Sequence, residues 1–91
     1  MYIVNMLISF DLPYVQTLKG RRKILNSIKD RLSKLNISLL DISSEYPKEA
    51  ELAIVFLAFT DKDIQKRFQN IRKVLDRYFS DIDYTISYEL I

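Results

Sequence analysis

Cysteine, histidine and tryptophan are missing from this 91-residue chain, and glycine occurs once. Without cysteine there is no disulfide and no thiolate chemistry, which fits a reducing cytosol. Without histidine as well, Cys/His zinc sites and His-based acid–base or triad catalysis are excluded. The single glycine, Gly20, leaves no glycine-rich phosphate loop of either common type. No apolar run approaches the ~18–20 residues that a membrane span needs. The start, MYIVNMLISFDLP, has no basic region and no small-residue cleavage site, so it reads as a strand and not as a signal peptide. A cytoplasmic location is therefore expected. There is no linker, repeat or low-complexity stretch, so residues 1–91 are expected to form one domain. A chain of this length buries roughly 60–65% of its unfolded surface without staples.

What is present is charge, unevenly placed. The formal net charge is only +2, but segments 17–35 and 61–79 hold thirteen of the fourteen Lys and Arg against four acids, a balance of +9. The remainder holds Lys48 against eight acids, a balance of −7. Such a division predicts a basic layer on an acidic remainder. The plainer reading is that surface helices simply expose Lys and Arg, which are good helix formers.

Both basic segments have helical periodicity. Leu18, Leu25, Ile28, Leu32 and Leu35 recur at spacings of three, four and seven, one apolar helix face. Thr17 is a suitable N-cap, but the third helical position carries Gly20 where a capping box would have Glu or Gln. Lys19, Arg21, Arg22 and Lys23 crowd the first two turns, where the helix dipole disfavours each cation by roughly 0.3–1 kcal/mol. Arg21 falls on the apolar stripe. Either its stem snorkels and its guanidinium pairs with a nearby carboxylate, or it joins the helix N–H groups in an anion site. In the second helix, Thr60 with Asp63 forms a box-like cap, and Ile64, Phe68, Ile71, Leu75 and Tyr78 form the dry stripe. Lys62, Lys66, Lys73 and Arg77 lie opposite it.

The other segments read as strands. Residues 2–12 alternate, with Tyr2, Val4, Met6, Ile8, Phe10 and Leu12 on one face, and Pro13 ends the run. Asn36, which tolerates the left-handed conformation, closes the first helix. Residues 37–43 form a second strand, and residues 51–59 an almost wholly apolar third. A last strand alternates Tyr84, Ile86, Tyr88 and Leu90 with polar residues. The order βαββαβ with right-handed crossovers gives an α+β two-layer sandwich, ferredoxin-like, with an antiparallel sheet in the order 4-1-3-2. Both basic helices then share one face. The other face is uncovered and offers Ile3, Leu7 and one of two alternating sets from the third strand. A homodimer through that face is expected.

Thr17-Leu18-Lys19-Gly20-Arg21-Arg22-Lys23 and the strand Asn36-Ile37-Ser38-Leu39-Leu40-Asp41-Ile42, at this separation, resemble the YlxP-like family of small bacterial proteins, a domain-of-unknown-function family. That family tends to show Ser-Leu-Lys-Glu-Lys-Arg-Arg and Asn-Val-Ser-Val-Ala-Glu-Val at these places. The chain departs from the pattern at Gly20 and in having no tryptophan before the third strand. The resemblance implies a ferredoxin-like fold and, because such genes often lie among those for translation and ribosome maturation, a role near RNA or the ribosome.

The leading expectation is a non-enzymatic accessory protein that lays its helix layer on ribosomal or other structured RNA through Lys19, Arg21, Arg22, Lys23, Lys62, Lys66, Lys73 and Arg77. RNA recognition on the sheet is disfavoured, since the third strand has neither the glycine nor the positive charge of an RNP1 motif. The alternative is a homodimeric interaction or scaffold module whose charges only solubilise it. A small-ligand regulatory domain is weakened by the lack of glycine-containing loops. Acylphosphatase chemistry is weakened by the lack of an arginine in a glycine-rich loop. Asp41, Glu45, Glu49 and Glu51 have the chemistry to hold a hard cation, but loop acids are more often only solvated. No catalytic residue, metal or cofactor is implied.

Overall fold

The computed structural model describes residues 1–91. Its elements are β1 (Tyr2–Asp11), α1 (Leu18–Leu32) continued by a 3₁₀ turn (Ser33–Leu35), β2 (Ser38–Asp41), β3 (Glu49–Ala58), α2 (Asp61–Tyr78) and β4 (Asp83–Leu90). One antiparallel sheet runs β2-β3-β1-β4. That is the 4-1-3-2 order expected from the sequence, seen from the other edge.

The register decides what each face carries. Val4, Met6, Ile8 and Phe10 of β1 lie opposite Phe56, Ile54, Leu52 and Ala50 of β3, and all eight are buried. They pack with Leu25, Ile28 and Leu32 of α1 and Ile64, Ile71 and Leu75 of α2 in one continuous core. Because strand side chains alternate, Ala53, Val55 and Leu57 point the other way. The alternative left open for β3 is thereby resolved: the even-numbered residues are inside.

Local chemistry sets the helix ends. Thr17 Oγ1 accepts from the Gly20 amide at 3.0 Å, and Thr60 Oγ1 from the Asp63 amide at 3.2 Å. The return bond to Asp63 comes from the Phe59 amide, 3.2 Å, one residue before the cap. Asn36 leaves the 3₁₀ turn at φ 58°, a left-handed residue.

Two members of the predicted stripes are outside the core. Leu18 is exposed in the first turn of α1, and Tyr78 is exposed in the last turn of α2. Helix ends overrun the sheet, so periodicity alone overstates their burial. Strand bounds also shift. The second strand is shorter than residues 37–43, and β3 begins two residues earlier than predicted, because Glu49 and Ala50 pair with Asp11 and Phe10. No helix is long and apolar enough to cross a membrane.

Candidate nucleic-acid interface

Seven of the eight predicted binding residues are exposed: Lys19, Arg22 and Lys23 on α1, and Lys62, Lys66, Lys73 and Arg77 on α2. Spacings of four, seven and four keep the α2 set on one helix face. The set is split along the layer. Lys23 and Ile24 share a groove with Phe79 and Ile82, which brings the start of α1 beside the end of α2, whose last turn carries Arg77. Lys62 and Lys66 lie toward the other end, roughly 17 Å from Arg77 to Lys66 at 1.5 Å per helical residue. There α2 meets the 3₁₀ turn, where exposed Lys34 adds a cation that the sequence-based set omits.

Arg21 does not belong to this surface. It is only 8% exposed, and its Nη1 donates to the carbonyl oxygens of Tyr46 and Glu49 at 2.8 and 3.0 Å. The ion-pair reading from the sequence is corrected: the partners are backbone carbonyls and not a carboxylate. The reason is topological. The apolar stripe of α1 aims Arg21 at the β2–β3 connection, whose carbonyls lack ladder partners where that loop turns. The two hydrogens of Nη1 satisfy two of them at once.

Three further arginines are also structural. The Arg31 guanidinium stands 3.5 Å from the Tyr78 ring centre, fastening α1 to the last turn of α2. Arg67 lies 4.7 Å from the Phe56 ring centre and donates from Nη2 to the Asn36 carbonyl at 2.6 Å. Arg72 faces Phe68 and Tyr84 at 5.0 and 5.9 Å. The Tyr84 hydroxyl donates to Asp76 at 2.6 Å. Burial raises the Tyr84 pKa above 10.0, and the hydrogen bond and charge of Asp76 push the same way against an opposing pull from Arg72. These partnerships join distant residues, so periodicity carries no signal of them.

The acids collect elsewhere. Asp11 is in register with both Glu49 and Asp83, and Glu51 with Ser9, at one end of the open sheet face. Asp41 is held by Ser43, whose amide and hydroxyl donate to Oδ1 at 2.9 and 2.6 Å. Burial alone pushes the Asp41 carboxyl up, but those hydrogen bonds, with the charges of Lys29 and Arg21, hold it below 3.8 overall. Asp41 is thus turned onto its own loop, and the acids and other ligand types form no group of three or more able to hold a metal.

The open face itself is apolar along β1, β3 and β2. Ile3, Val55, Leu57, Leu40 and Ile42 are all exposed there, with Leu57 at 58%. Thr85, Ser87 and Glu89 of β4 border it. What the molecule presents, then, is a cationic helix layer, a bare aliphatic sheet face and an acidic end.

Among solved structures, the de novo designed protein Foldit4 is similar over 97% of this chain and 94% of its own, with a TM-score of 0.55 and 11% identity. LFR1 1, a de novo designed protein with a ferredoxin fold, is similar over 99% of this chain and 85% of its own, with a TM-score of 0.57 and 13% identity. Both likenesses are of fold. No curated protein matches the chain. The family model described as a protein of unknown function, DUF503, matches residues 3–87.

Proposed function

We propose, for a chain that belongs to the DUF503 family of proteins of unknown function, a non-enzymatic cytoplasmic role accessory to translation or the ribosome, in which the helix layer binds structured RNA. The observation that carries this reading is charge segregation between layers. The two basic segments hold +9 and lie together over one sheet face, while the −7 of the remainder lies in the other strands and loops. The hydrogen bonds of Arg21, Lys48 and Arg67 end on carbonyl oxygens, so they neutralise no positive charge. Cations spread over a helical surface suit phosphate contacts, which are sequence-tolerant and strongly salt-dependent.

The test is a binding titration on a structured RNA at several salt concentrations, with Arg22, Lys23 and Lys66 together changed to Glu. These three are exposed, so the fold tolerates the change; Arg21 is left alone because it is buried. Affinity is expected to fall for every RNA sequence tried. The salt slope should flatten by roughly 0.7–0.9 for each phosphate that is no longer neutralised. Unchanged affinity and slope would refute the helix layer as the binding surface.

A second reading, a homodimer joined through the open sheet face, rests on the exposed row of Ile3, Val55, Leu57, Leu40 and Ile42. Strands of 10, 4, 10 and 8 residues, about 4.8 Å apart at about 3.3 Å per residue, give an outline of roughly 500 Å² per partner, at the small end of specific interfaces. Sedimentation should then give a dimer for the unmodified chain and a monomer for Leu57→Asp. A monomer at all concentrations removes this reading.

A further inference from the structure

A groove at the edge of the helix layer, with Lys23 on its rim, runs between the segment joining β1 to α1 and the turn joining α2 to β4, with a volume of about 410 Å³. Its walls are Leu12, Val15, Ile24, Phe79 and Ile82, with Tyr14 at its margin. The Tyr14 ring is 94% exposed, so it contributes almost nothing to the core. Asp11, Lys23, Ser27 and Asp81 supply the polar lining, and the side-chain hydrogen bonds of the fold are made by other residues. Their polar atoms are therefore free for a ligand.

We propose that this groove takes one unstacked nucleobase from a single-stranded loop of the bound RNA, with Tyr14 as its stacking platform. This rests on the RNA reading above and deepens it, by naming the element of RNA that is recognised. Three observations select a nucleotide. The slot combines apolar walls with a solvent-facing aromatic ring, and every base has a π-face that stacks on such a ring. Lys23 lines the slot, with exposed Lys19 and Arg22 on the same two helical turns, so the attached phosphates meet cations. Asp81 repels phosphate but accepts hydrogen bonds, which places the base edge toward it.

That last point sets a preference. A carboxylate is matched best by an edge presenting two adjacent N–H donors, as guanine does, and least by the uracil edge, where one donor stands between two carbonyls. A paired base has its Watson–Crick edge occupied. Splayed loops and bulges are where RNA offers that edge to protein.

The experiment measures binding of the full chain, by fluorescence anisotropy, to three labelled RNAs: a stem-loop with guanines in the loop, the same stem with uridines, and the blunt duplex. The unmodified chain should bind the guanine loop most tightly. Tyr14→Ala should weaken that complex roughly ten-fold and leave duplex affinity and thermal stability unchanged. Asp81→Ala should erase the preference for guanine over uridine. If Tyr14→Ala matches the unmodified chain on all three RNAs while the Arg22, Lys23 and Lys66 variant weakens all three, the groove is refuted and the helix-layer reading survives. If the unmodified chain binds none of them, both fall. Quenching of the chain's tyrosine fluorescence by an arginine-rich peptide and not by the guanine stem-loop would assign the groove to a protein partner and overturn the proposal.

Discussion

Arg21 provides the sharpest test of the physical account, because its neighbour Arg22 has the same chemistry in the opposite environment. Changing Arg21 to Met keeps most of the apolar stem and removes only the head group. The carbonyls of Tyr46 and Glu49, at 2.8 and 3.0 Å from Nη1, then lose that charged donor, although the Tyr46 oxygen keeps the Glu49 amide at 3.3 Å. A hydrogen bond to a charged group contributes about 1.5–3 kcal/mol, and a stranded buried acceptor costs about 1–3 kcal/mol. Tyr46 is exposed, so water can reach its side of the loop and the lower end of each range applies. The sum is about 2.5 kcal/mol, a large part of the roughly 5–15 kcal/mol that holds an ordinary domain together. For a domain of this size that corresponds to a fall in Tm of roughly 15 °C. Arg22→Met, at an exposed position, should stay within about 0.5 kcal/mol of the parent. Arg21→Lys should fall between, since an ammonium can donate to both carbonyls from one nitrogen as Nη1 does, but on a stem one bond shorter. Thermal and urea unfolding followed by circular dichroism measure all three. If Arg21→Met and Arg22→Met unfold together, the bracket between α1 and the β2–β3 loop contributes nothing, and the reassignment of Arg21 from binding to folding fails.

Two further outcomes follow from other particular contacts. Tyr84 should ionise above pH 10.0 in a spectrophotometric titration of the folded chain, since its pKa is raised by burial and by Asp76. A raised folded-state pKa means that its contribution to stability is complete below pH 10.0 and is lost as pH rises through the folded value. Asp76→Asn should lower the Tyr84 pKa and weaken that dependence, and an unaltered titration would show that Asp76 is not its partner. Asn36, at φ 58°, should tolerate glycine within about 0.5 kcal/mol, whereas Asn36→Val should cost about 1–2 kcal/mol because a branched Cβ crowds the following carbonyl. Equal urea midpoints for the two Asn36 variants would remove the left-handed closure from the account.

The fold was legible because its signals are local. Period-two alternation in 2–12 and 84–90, the 3.6-residue stripes, the two threonine caps and Asn36 each depend on residues within a turn or two of one another. The resemblance to the YlxP-like family is likewise upheld by the match over residues 3–87. What could not be read were contacts between elements. Arg21 reaches 25 and 28 residues along the chain to its carbonyls, and Arg67 reaches 31 residues back to Asn36. A run of cations such as Lys19 to Lys23 has no internal mark to separate the buried member from the exposed ones. One hint existed: Arg21 falls on the stripe of Leu25, Ile28 and Leu32, and stripe membership predicts burial more directly than charge predicts a ligand. The groove beside Tyr14 was also out of reach, since its walls come from both ends of the chain.

Where the chain breaks the rules of stable folding is more informative than where it obeys them. Designed proteins share this fold at 11% and 13% identity, so the architecture needs only a pattern of apolar and polar positions and not these particular residues. Two features work against stability. The first turn of α1 contains no acid and the first two turns contain four cations, at roughly 0.3–1 kcal/mol of unfavourable dipole interaction for each. α2, built over the same sheet, has Asp61 and Asp63 in its first turn and Arg77 in its last, the favourable arrangement. The fold therefore does not require cations at a helix start. Arg21 accounts for one of the four through its carbonyl partners. Lys19, Arg22 and Lys23 are exposed and lack that compensation. Local conflicts of this kind are expected at functional positions. They lie beside the groove that carries Tyr14, so the start of α1 is where binding should be sought first.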